Sequence, residues 1–136
     1  MNDKDDEMDA AGYLDRADTF LPSPALPADL AEPFLHGISI AIELATKAAM
    51  KHGGATEDDC IEARHDLEAG IAAAEARGFV SDDNLHELAR QLSPWYRTHR
   101  LGSLIDGGYT FDQTSLHQIV SRHIARIDAW MKDTPA

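Results

Sequence analysis

The sequence has little cysteine, few basic residues and no long apolar run. Cys60 is the only cysteine among 136 residues, so the chain forms no internal disulfide, and a single thiol fits a reducing compartment. No apolar run approaches the roughly 20 residues that a membrane-spanning helix needs. The first residues are acidic and lack the apolar segment of a secretory signal peptide. These absences predict a cytoplasmic protein that does not associate with membranes.

Basic side chains are half as numerous as acidic ones. The chain has 24 Asp and Glu residues against 12 Lys and Arg residues, a net charge of −12. The excess lies in residues 1–33 (net −7) and 34–92 (net −6), whereas residues 93–136 carry +1. The electrostatic field of this negative charge repels nucleic acid and anionic membranes and attracts basic proteins. The composition therefore argues against direct nucleic-acid binding and favours a basic protein partner.

Hydrophobic periodicity predicts helices along most of the chain. Residues 30–50, LAEPFLHGISIAIELATKAAM, have few polar side chains, spaced three or four positions apart. That pattern is typical of a central helix buried on several sides. The last helix has the clearest apolar stripe, which includes Leu116, Val120, His123 and Ile127. No segment alternates apolar and polar residues as a half-buried strand does.

Capping residues divide this pattern into about five helices. The predicted N-caps are Asp29, Thr56, Ser81, Ser93 and either Asp112 or Thr114. The second helix is expected to run from Thr56 to about Arg77. We predict an all-α fold, a compact bundle of about five helices at residues 29–133. Before it, residues 1–28 are predicted to be a flexible, acidic, proline-containing segment whose first eleven residues are disordered. Within that segment, a short helical turn that folds back on the bundle is expected at Tyr13, Leu14, Phe20 and Leu21.

Three residues suggest metal chemistry. His36 lies on the central helix, and the pair His65-Asp66 lies on the predicted helix that follows. This arrangement resembles the HD-domain metal phosphohydrolases, in which such residues hold divalent metals that activate water against a phosphoester. The resemblance implies a last ligand from Asp106, Asp112 or Asp128. The sequence departs from the family pattern because Glu62-Ala63-Arg64, and not an apolar run, precedes the pair.

Two other clusters have weaker chemical interpretations. Glu62 and His65 have the Glu-x-x-His spacing of di-iron bundles, but the chain contains no second copy of that motif. The segment from Trp95 to Arg100 combines aromatic and basic residues, which suits either a core anchor with solvated arginines or a protein interface. Neither cluster is assigned a catalytic role.

The acidic clusters at the predicted helix starts carry the functional prediction. The residues predicted to bind a partner are Glu57, Asp58, Asp59, Glu62, Asp82 and Asp83. Helix capping also accounts for these acids. We predict a small, non-enzymatic inhibitor without cofactor or metal that binds a larger basic protein, of the immunity, anti-restriction, anti-CRISPR or nucleic-acid-mimic type. The alternatives are an HD-like phosphohydrolase using His36, His65 and Asp66, and a self-associating helical subunit such as a homodimer.

Overall fold

A computed structural model describes residues 8–134 of the chain. Within this range the polypeptide forms seven α helices and no strand, so the predicted all-α class is confirmed. The helices are α1 (Ala10–Phe20), α2 (Ala31–His52), α3 (Glu57–Ala63), α4 (Leu67–Glu75), α5 (Asp83–Tyr96), α6 (Leu101–Asp106) and α7 (Gln113–Asp133). The predicted number of about five helices is wrong for this part of the chain. None of the seven helices is long and apolar enough to cross a membrane.

Helix α2 is the centre of the fold, as predicted. It contacts α1, α4, α5, α6 and α7, and its side chains Phe34, Leu35 and Ile42 are completely buried. The helix ends at His52, where the N–H of Gly53 donates to the carbonyl of Ala49 at 3.0 Å. The predicted N-cap Asp29 is wrong, because Asp29 lies in a short 3-10 turn and α2 begins at Ala31 without a side-chain cap.

Helix α1 occupies part of the segment predicted to be flexible. The Asp9 carboxylate accepts a hydrogen bond from the N–H of Gly12 at 2.8 Å, which caps the helix. Leu14 and Ala17 are buried, and the helix packs along α2. A helix of 11 residues gains most of its stability from such packing, and the short helical turn expected at residues 13–21 is part of this longer helix. The flexible prediction is therefore wrong for residues 10–20, while residues 1–7, predicted to be disordered, lie outside the described range.

The predicted second helix is in fact two helices, α3 and α4. Thr56 caps α3 as predicted, and Asp59 completes a capping box with it. After Ala63 the chain makes a turn in which the N–H of Asp66 donates to the carbonyl of Ala63 at 2.7 Å. Arg64, at φ 32° and ψ −117°, is close to the first central position of a type II′ turn, which favours glycine. No glycine or proline marks the break, and its local signal is Asp66, which is a favoured N-cap residue for the helix that follows.

The predicted helix start at Ser93-Pro94 is also wrong. Helix α5 continues through both residues to Tyr96. Ser93 is buried, and its hydroxyl accepts a hydrogen bond from the N–H of Leu67 at 2.9 Å and donates to Asp66 Oδ1 at 3.2 Å. The serine therefore stabilises the start of α4, not the start of a helix of its own.

The last helix agrees with its prediction. Asp112 caps α7 by accepting hydrogen bonds from the N–H and the hydroxyl of Ser115 at 2.9 Å and 2.7 Å. Four residues of the apolar stripe are buried: Leu116, Val120, His123 and Ile127. This stripe faces the core of the same chain, where α7 packs against α2. The stripe thus contributes to the fold itself.

Candidate functional site

The turn between α3 and α4 brings His65 against the central helix. His65 Nδ1 lies 2.7 Å from Glu43 Oε1 on α2. The same carboxylate oxygen accepts a hydrogen bond from the Tyr96 hydroxyl at the end of α5, also at 2.7 Å. The Glu43 side chain is 22% exposed and that of His65 43% exposed. We call these three residues the Glu43 cluster; it links α2, the α3–α4 turn and α5.

The hydrogen bonds define the chemical state of the cluster. Burial, together with the hydrogen bond to Glu43, raises the pKa of Tyr96 far above its ordinary value. Tyr96 is therefore a neutral donor. Because a carboxylate oxygen accepts hydrogen bonds, His65 Nδ1 carries the proton that it donates to Glu43.

Two more histidines, His36 and His99, extend this group of rings. The His36 ring centroid lies 5.9 Å from that of Tyr96, and the His65 centroid lies 5.1 Å from it, both edge to face. His99 lies 5.7 Å from His65. Within residues 8–134, the non-glycine residues with positive φ are His99 (58°) and Arg64 (32°), and both adjoin this group of rings. Backbone strain of this kind concentrates at functional sites, so the region is the strongest site candidate in the fold.

Two cavities share residues with this region. The polar cavity, of ≈ 400 Å³, is lined by Glu43 and His65 together with residues of α3 and α4. The Tyr96 cavity, of ≈ 480 Å³, is lined by Glu32, Pro33, His36, Tyr96, His99 and Leu101. Both volumes fall in the range of roughly 300–1,000 Å³ that small-molecule sites occupy.

Cys60 also lines the polar cavity. The residue is buried, as its position on the predicted core face of its helix indicates. Burial raises the pKa of its thiol, with the nearby acids Glu57 and Asp59 adding to the shift. The thiolate is the reactive form of cysteine, so this environment disfavours a nucleophilic role.

The structure separates the three residues of the HD-like prediction into different roles. His36 packs on Tyr96, and His65 binds Glu43. Asp66 caps α4 by accepting a hydrogen bond from the N–H of Ala69 at 3.1 Å. Among residues 8–134, no group of three or more His, Cys, Asp and Glu side chains is arranged to hold a metal ion. The side chains in this range therefore do not fit the ligand sets that the HD and di-iron patterns imply.

The three aspartates that were candidates for the last ligand of an HD-like metal site also occupy other structural positions. Asp112 caps α7. Asp128 Oδ2 lies 2.9 Å from the ammonium group of Lys132 on the same helix. Asp106 is the last residue of α6.

Three of the six acids predicted to bind a partner have cationic neighbours. The pairs are Glu57 with Lys51 at 2.6 Å, Asp59 with Arg77 at 3.2 Å and Asp82 with Arg122 at 3.5 Å. Hydrogen bonding from Lys51 lowers the pKa of Glu57, and hydrogen bonding from Thr56 lowers that of Asp59. These acids have structural roles whether or not a partner is present.

The other three predicted acids are Asp58, Glu62 and Asp83. All are exposed, and in the described part of the chain no Lys, Arg or His nitrogen lies within 4.0 Å of their carboxylates. Asp58 and Glu62 lie beside Ile61 on α3, and Ile61, which also lines the polar cavity, is 47% exposed. This α3 face, Asp58-Ile61-Glu62, combines negative charge with an exposed apolar side chain.

The aromatic and basic segment at residues 95–100 is divided between core and surface. Tyr96 is a buried core residue. The Arg100 guanidinium lies 5.7 Å from the centroid of the Trp95 ring. His99, whose ring lies beside that of His65, was considered from the sequence only as part of the segment from Trp95 to Arg100, and Glu43 was not considered as a site residue. The sequence feature that could have identified Glu43 is a carboxylate in the interior of a helix with few polar side chains, since a charged group there needs a partner.

Comparisons of the chain with protein-family models, curated proteins and solved structures find no match. No family is therefore assigned. The all-α fold by itself implies no function, so function has to be argued from the surfaces and cavities described above.

Proposed function

We propose that this protein is a small, acidic, non-enzymatic binding protein that engages a larger basic protein through the α3 face. The observation that carries the proposal is the exposed Ile61 beside the carboxylates of Asp58 and Glu62, which have no Lys, Arg or His nitrogen of residues 8–134 within 4.0 Å. Residues spaced by three and four positions lie together on one helix face. The three side chains therefore present a single surface to a partner.

The chemistry of the α3 face suits lysine and arginine side chains. Such side chains pack their aliphatic stems on apolar surface and keep their charged ends near carboxylates. The net charge of −12 would speed the approach of a basic partner by long-range attraction. Asp83, at the start of α5, adds to this negative field.

A basic groove made for nucleic acid is the partner that this surface fits best. Rigid carboxylates on short helices occupy such a groove in place of phosphates, and occupation of the groove blocks it. Inhibition is therefore the proposed outcome of binding, as in immunity, anti-restriction, anti-CRISPR or nucleic-acid-mimic proteins.

The test compares three immobilised proteins: wild type, a variant of the α3 face, and a charge-matched control. The variant carries Asp58→Asn and Glu62→Gln, and the control carries Asp15→Asn and Asp18→Asn on the exposed side of α1. Each is exposed to a cell lysate at about 0.05 M and about 0.5 M salt, because screening weakens surface electrostatics strongly over this range. Retained proteins are identified and quantified by mass spectrometry.

We expect at least one strongly basic protein that wild type and control retain at low salt, and that the α3 variant loses. Equal loss from the variant and from the control would mean that the chain acts only as a general polyanion, which contradicts the proposal. Retention that does not change with salt would contradict the electrostatic mechanism.

The two alternative functions lack a comparable supporting observation. The side chains of residues 8–134 do not fit the metal site that a phosphohydrolase of the HD type needs. For self-association, the stripe of α7 is already used in the core of this chain. Self-association remains a prediction, and light scattering over a concentration series decides it.

A further inference from the structure

We infer that the polar cavity is a binding site for a free α-amino acid with an aliphatic side chain, whose ammonium group contacts Glu43 and whose carboxylate contacts Arg64. The inference goes beyond the proposed function and is tested on the purified protein alone. Ile61 belongs both to the α3 face and to the lining of this cavity, so the two surfaces adjoin. The inference rests on a buried apolar lining and on two opposite charges at one cavity.

The buried part of the cavity lining is mainly apolar. Helix α2 contributes Met50, helix α3 contributes Cys60 and Ala63, and helix α4 contributes Leu67 and Gly70. All five residues are buried. A cavity of ≈ 400 Å³ with an apolar lining and a few polar groups has the usual composition of a small-molecule site. An aliphatic side chain of a ligand therefore finds a matching surface.

Gly70 leaves space at the wall of the cavity. A Cβ atom placed on Gly70 would lie 3.4 Å from Thr46 Cγ2 and 3.9 Å from Ala63 Cβ, which are ordinary van der Waals distances. Thr46 and Ala63 both line the cavity, so a side chain at position 70 would enter it without displacing the fold. Glycine inside a helix is less favourable than alanine. The position thus offers a variant that reduces the cavity while it strengthens the helix.

Glu43 has a carboxylate oxygen that a ligand can reach. Its Oε1 atom accepts hydrogen bonds from both His65 and Tyr96. Its Oε2 atom accepts none within residues 8–134, and it is not one of the buried atoms that lack a partner. Because Glu43 lines the cavity and the cluster holds its carboxylate in place, Oε2 is an acceptor for the ammonium group of a ligand.

Arg64 supplies the opposite charge from the turn between α3 and α4. It lines the same cavity, and in residues 8–134 no Asp or Glu oxygen lies within 4.0 Å of its guanidinium. A guanidinium group holds a carboxylate through two parallel hydrogen bonds. The backbone of Arg64, with φ 32°, suits glycine better, and strained residues of this kind concentrate at binding sites.

The other charged residues of the lining are already engaged within the protein. Lys47 Nζ lies 3.5 Å from Glu57 Oε1, so these two charges offset each other. Asp66 Oδ1 accepts hydrogen bonds from the N–H of Ala69 and the hydroxyl of Ser93. A ligand with a single charge would be attracted by one of Glu43 and Arg64 and repelled by the other. A zwitterion satisfies both, which is the basis of the assignment to an amino acid.

The probe is leucine, and three related compounds each lack one of its groups. Isoamylamine lacks the carboxylate, isocaproate lacks the ammonium group, and glycine lacks the aliphatic side chain. Each compound is titrated into the purified protein and followed by calorimetry and protein NMR. The titrations are made at about pH 8, where imidazole side chains are ordinarily neutral.

Four variants are compared with wild type. Glu43→Gln and Arg64→Gln each remove one charge of the cavity and keep a polar side chain. Arg97→Gln is the matched control, because it removes an exposed arginine that does not line the cavity. Gly70→Ala adds one methyl group to the cavity wall. Thermal unfolding followed by circular dichroism establishes that each variant is folded.

We expect wild type to bind leucine with a dissociation constant of about 1 mM or tighter. Glu43→Gln and Arg64→Gln should each weaken this binding about fivefold, while Arg97→Gln leaves it unchanged. Gly70→Ala should weaken it at least about threefold without lowering the midpoint of thermal unfolding. Isoamylamine, isocaproate and glycine should each bind at least about fivefold more weakly than leucine.

Four results would each overturn the inference. They are the absence of saturation with leucine below about 10 mM, equal affinity for leucine and any of the three related compounds, equal binding by Arg64→Gln and Arg97→Gln, and unchanged binding by Gly70→Ala. Asp58 and Glu62 are intact in all four variants, so failure here leaves the proposed function of the α3 face to its own test.

Discussion

Replacing Glu43 tests whether the Glu43 cluster holds the fold together. In Glu43→Ala, the Tyr96 hydroxyl and His65 Nδ1 both lose their acceptor. Tyr96 is 4% exposed, so its hydroxyl is left without a partner in a buried position, which costs about 1–3 kcal/mol. His65 is 43% exposed, so water replaces its lost partner and that contribution is smaller, about 0.5 kcal/mol. The higher helix propensity of alanine returns a few tenths of a kcal/mol. We expect a net loss of about 2 kcal/mol.

Two matched variants separate the effect of losing the hydrogen-bond acceptor for Tyr96 from the effect of losing the negative charge of Glu43. Glu43→Gln keeps a carbonyl oxygen that accepts from Tyr96, so it should cost about 1 kcal/mol or less. Tyr96→Phe removes the hydroxyl that needs a partner and leaves Glu43 bound to His65, so it should also cost about 1 kcal/mol. The double variant Glu43→Ala with Tyr96→Phe should then be less destabilised than the sum of the single variants by about 1 kcal/mol.

The free energies of unfolding come from urea titrations followed by circular dichroism and tryptophan fluorescence. A cost of less than about 0.5 kcal/mol for Glu43→Ala would refute the reasoning, because a buried hydroxyl without a partner must cost more than that. Equal costs for Glu43→Ala and Glu43→Gln would show that the charge, and not the acceptor for Tyr96, carries the stabilisation. Additive effects in the double variant would mean that the two side chains do not interact.

Three further predictions concern buried or strained positions. Burial lowers the pKa of His123 from its ordinary value to about 3, so the unfolded chain binds one more proton than the folded chain between about pH 6.5 and 3. The contribution of His123 to the free energy of unfolding is therefore complete above about pH 6.5 and is lost on acidification at up to about 1.4 kcal/mol per pH unit. Urea titrations at several pH values should show this slope of the unfolding free energy in wild type and a smaller slope in His123→Gln. Arg64→Gly should stabilise the protein by about 0.5–1 kcal/mol in thermal unfolding, since φ 32° suits glycine; a loss of stability would show that the turn is unstrained. Ser93→Ala should cost about 1–3 kcal/mol, because the N–H of Leu67 loses its partner, whereas Ser103→Ala, at an exposed position of α6, should cost less than about 0.5 kcal/mol.

The helix class and several helix ends could be predicted because they depend on neighbouring residues. Thr56 and Asp112 accept hydrogen bonds from N–H groups three positions ahead, so their caps are local. The apolar spacing of α2 and α7 likewise identified which helix faces lie in the core. Cys60 was correctly placed inside on the same ground.

The Glu43 cluster could not be predicted, because its contacts join distant parts of the chain. Glu43, His65 and Tyr96 are separated by 22 and 53 positions along the hydrogen bonds that connect them. The HD resemblance selected His65 and Asp66 as neighbours in sequence, but the turn at Arg64 sends their side chains to different partners. The spacing of candidate ligands along the predicted second helix gave a wrong prediction, because the helix is broken between those ligands.

The sequence by itself determined that this chain is helical and strongly acidic, and which helix is central. These properties follow from composition, capping residues and a period of 3.6 residues, all of which act over a few positions. The tertiary structure alone decided that the predicted second helix breaks at Arg64, that α5 continues through Pro94, and that the turn expected near Tyr13 is an 11-residue helix packed along α2. In each case the deciding interaction is a hydrogen bond or an apolar contact with a distant segment, and such contacts outweigh the small local preferences of the chain.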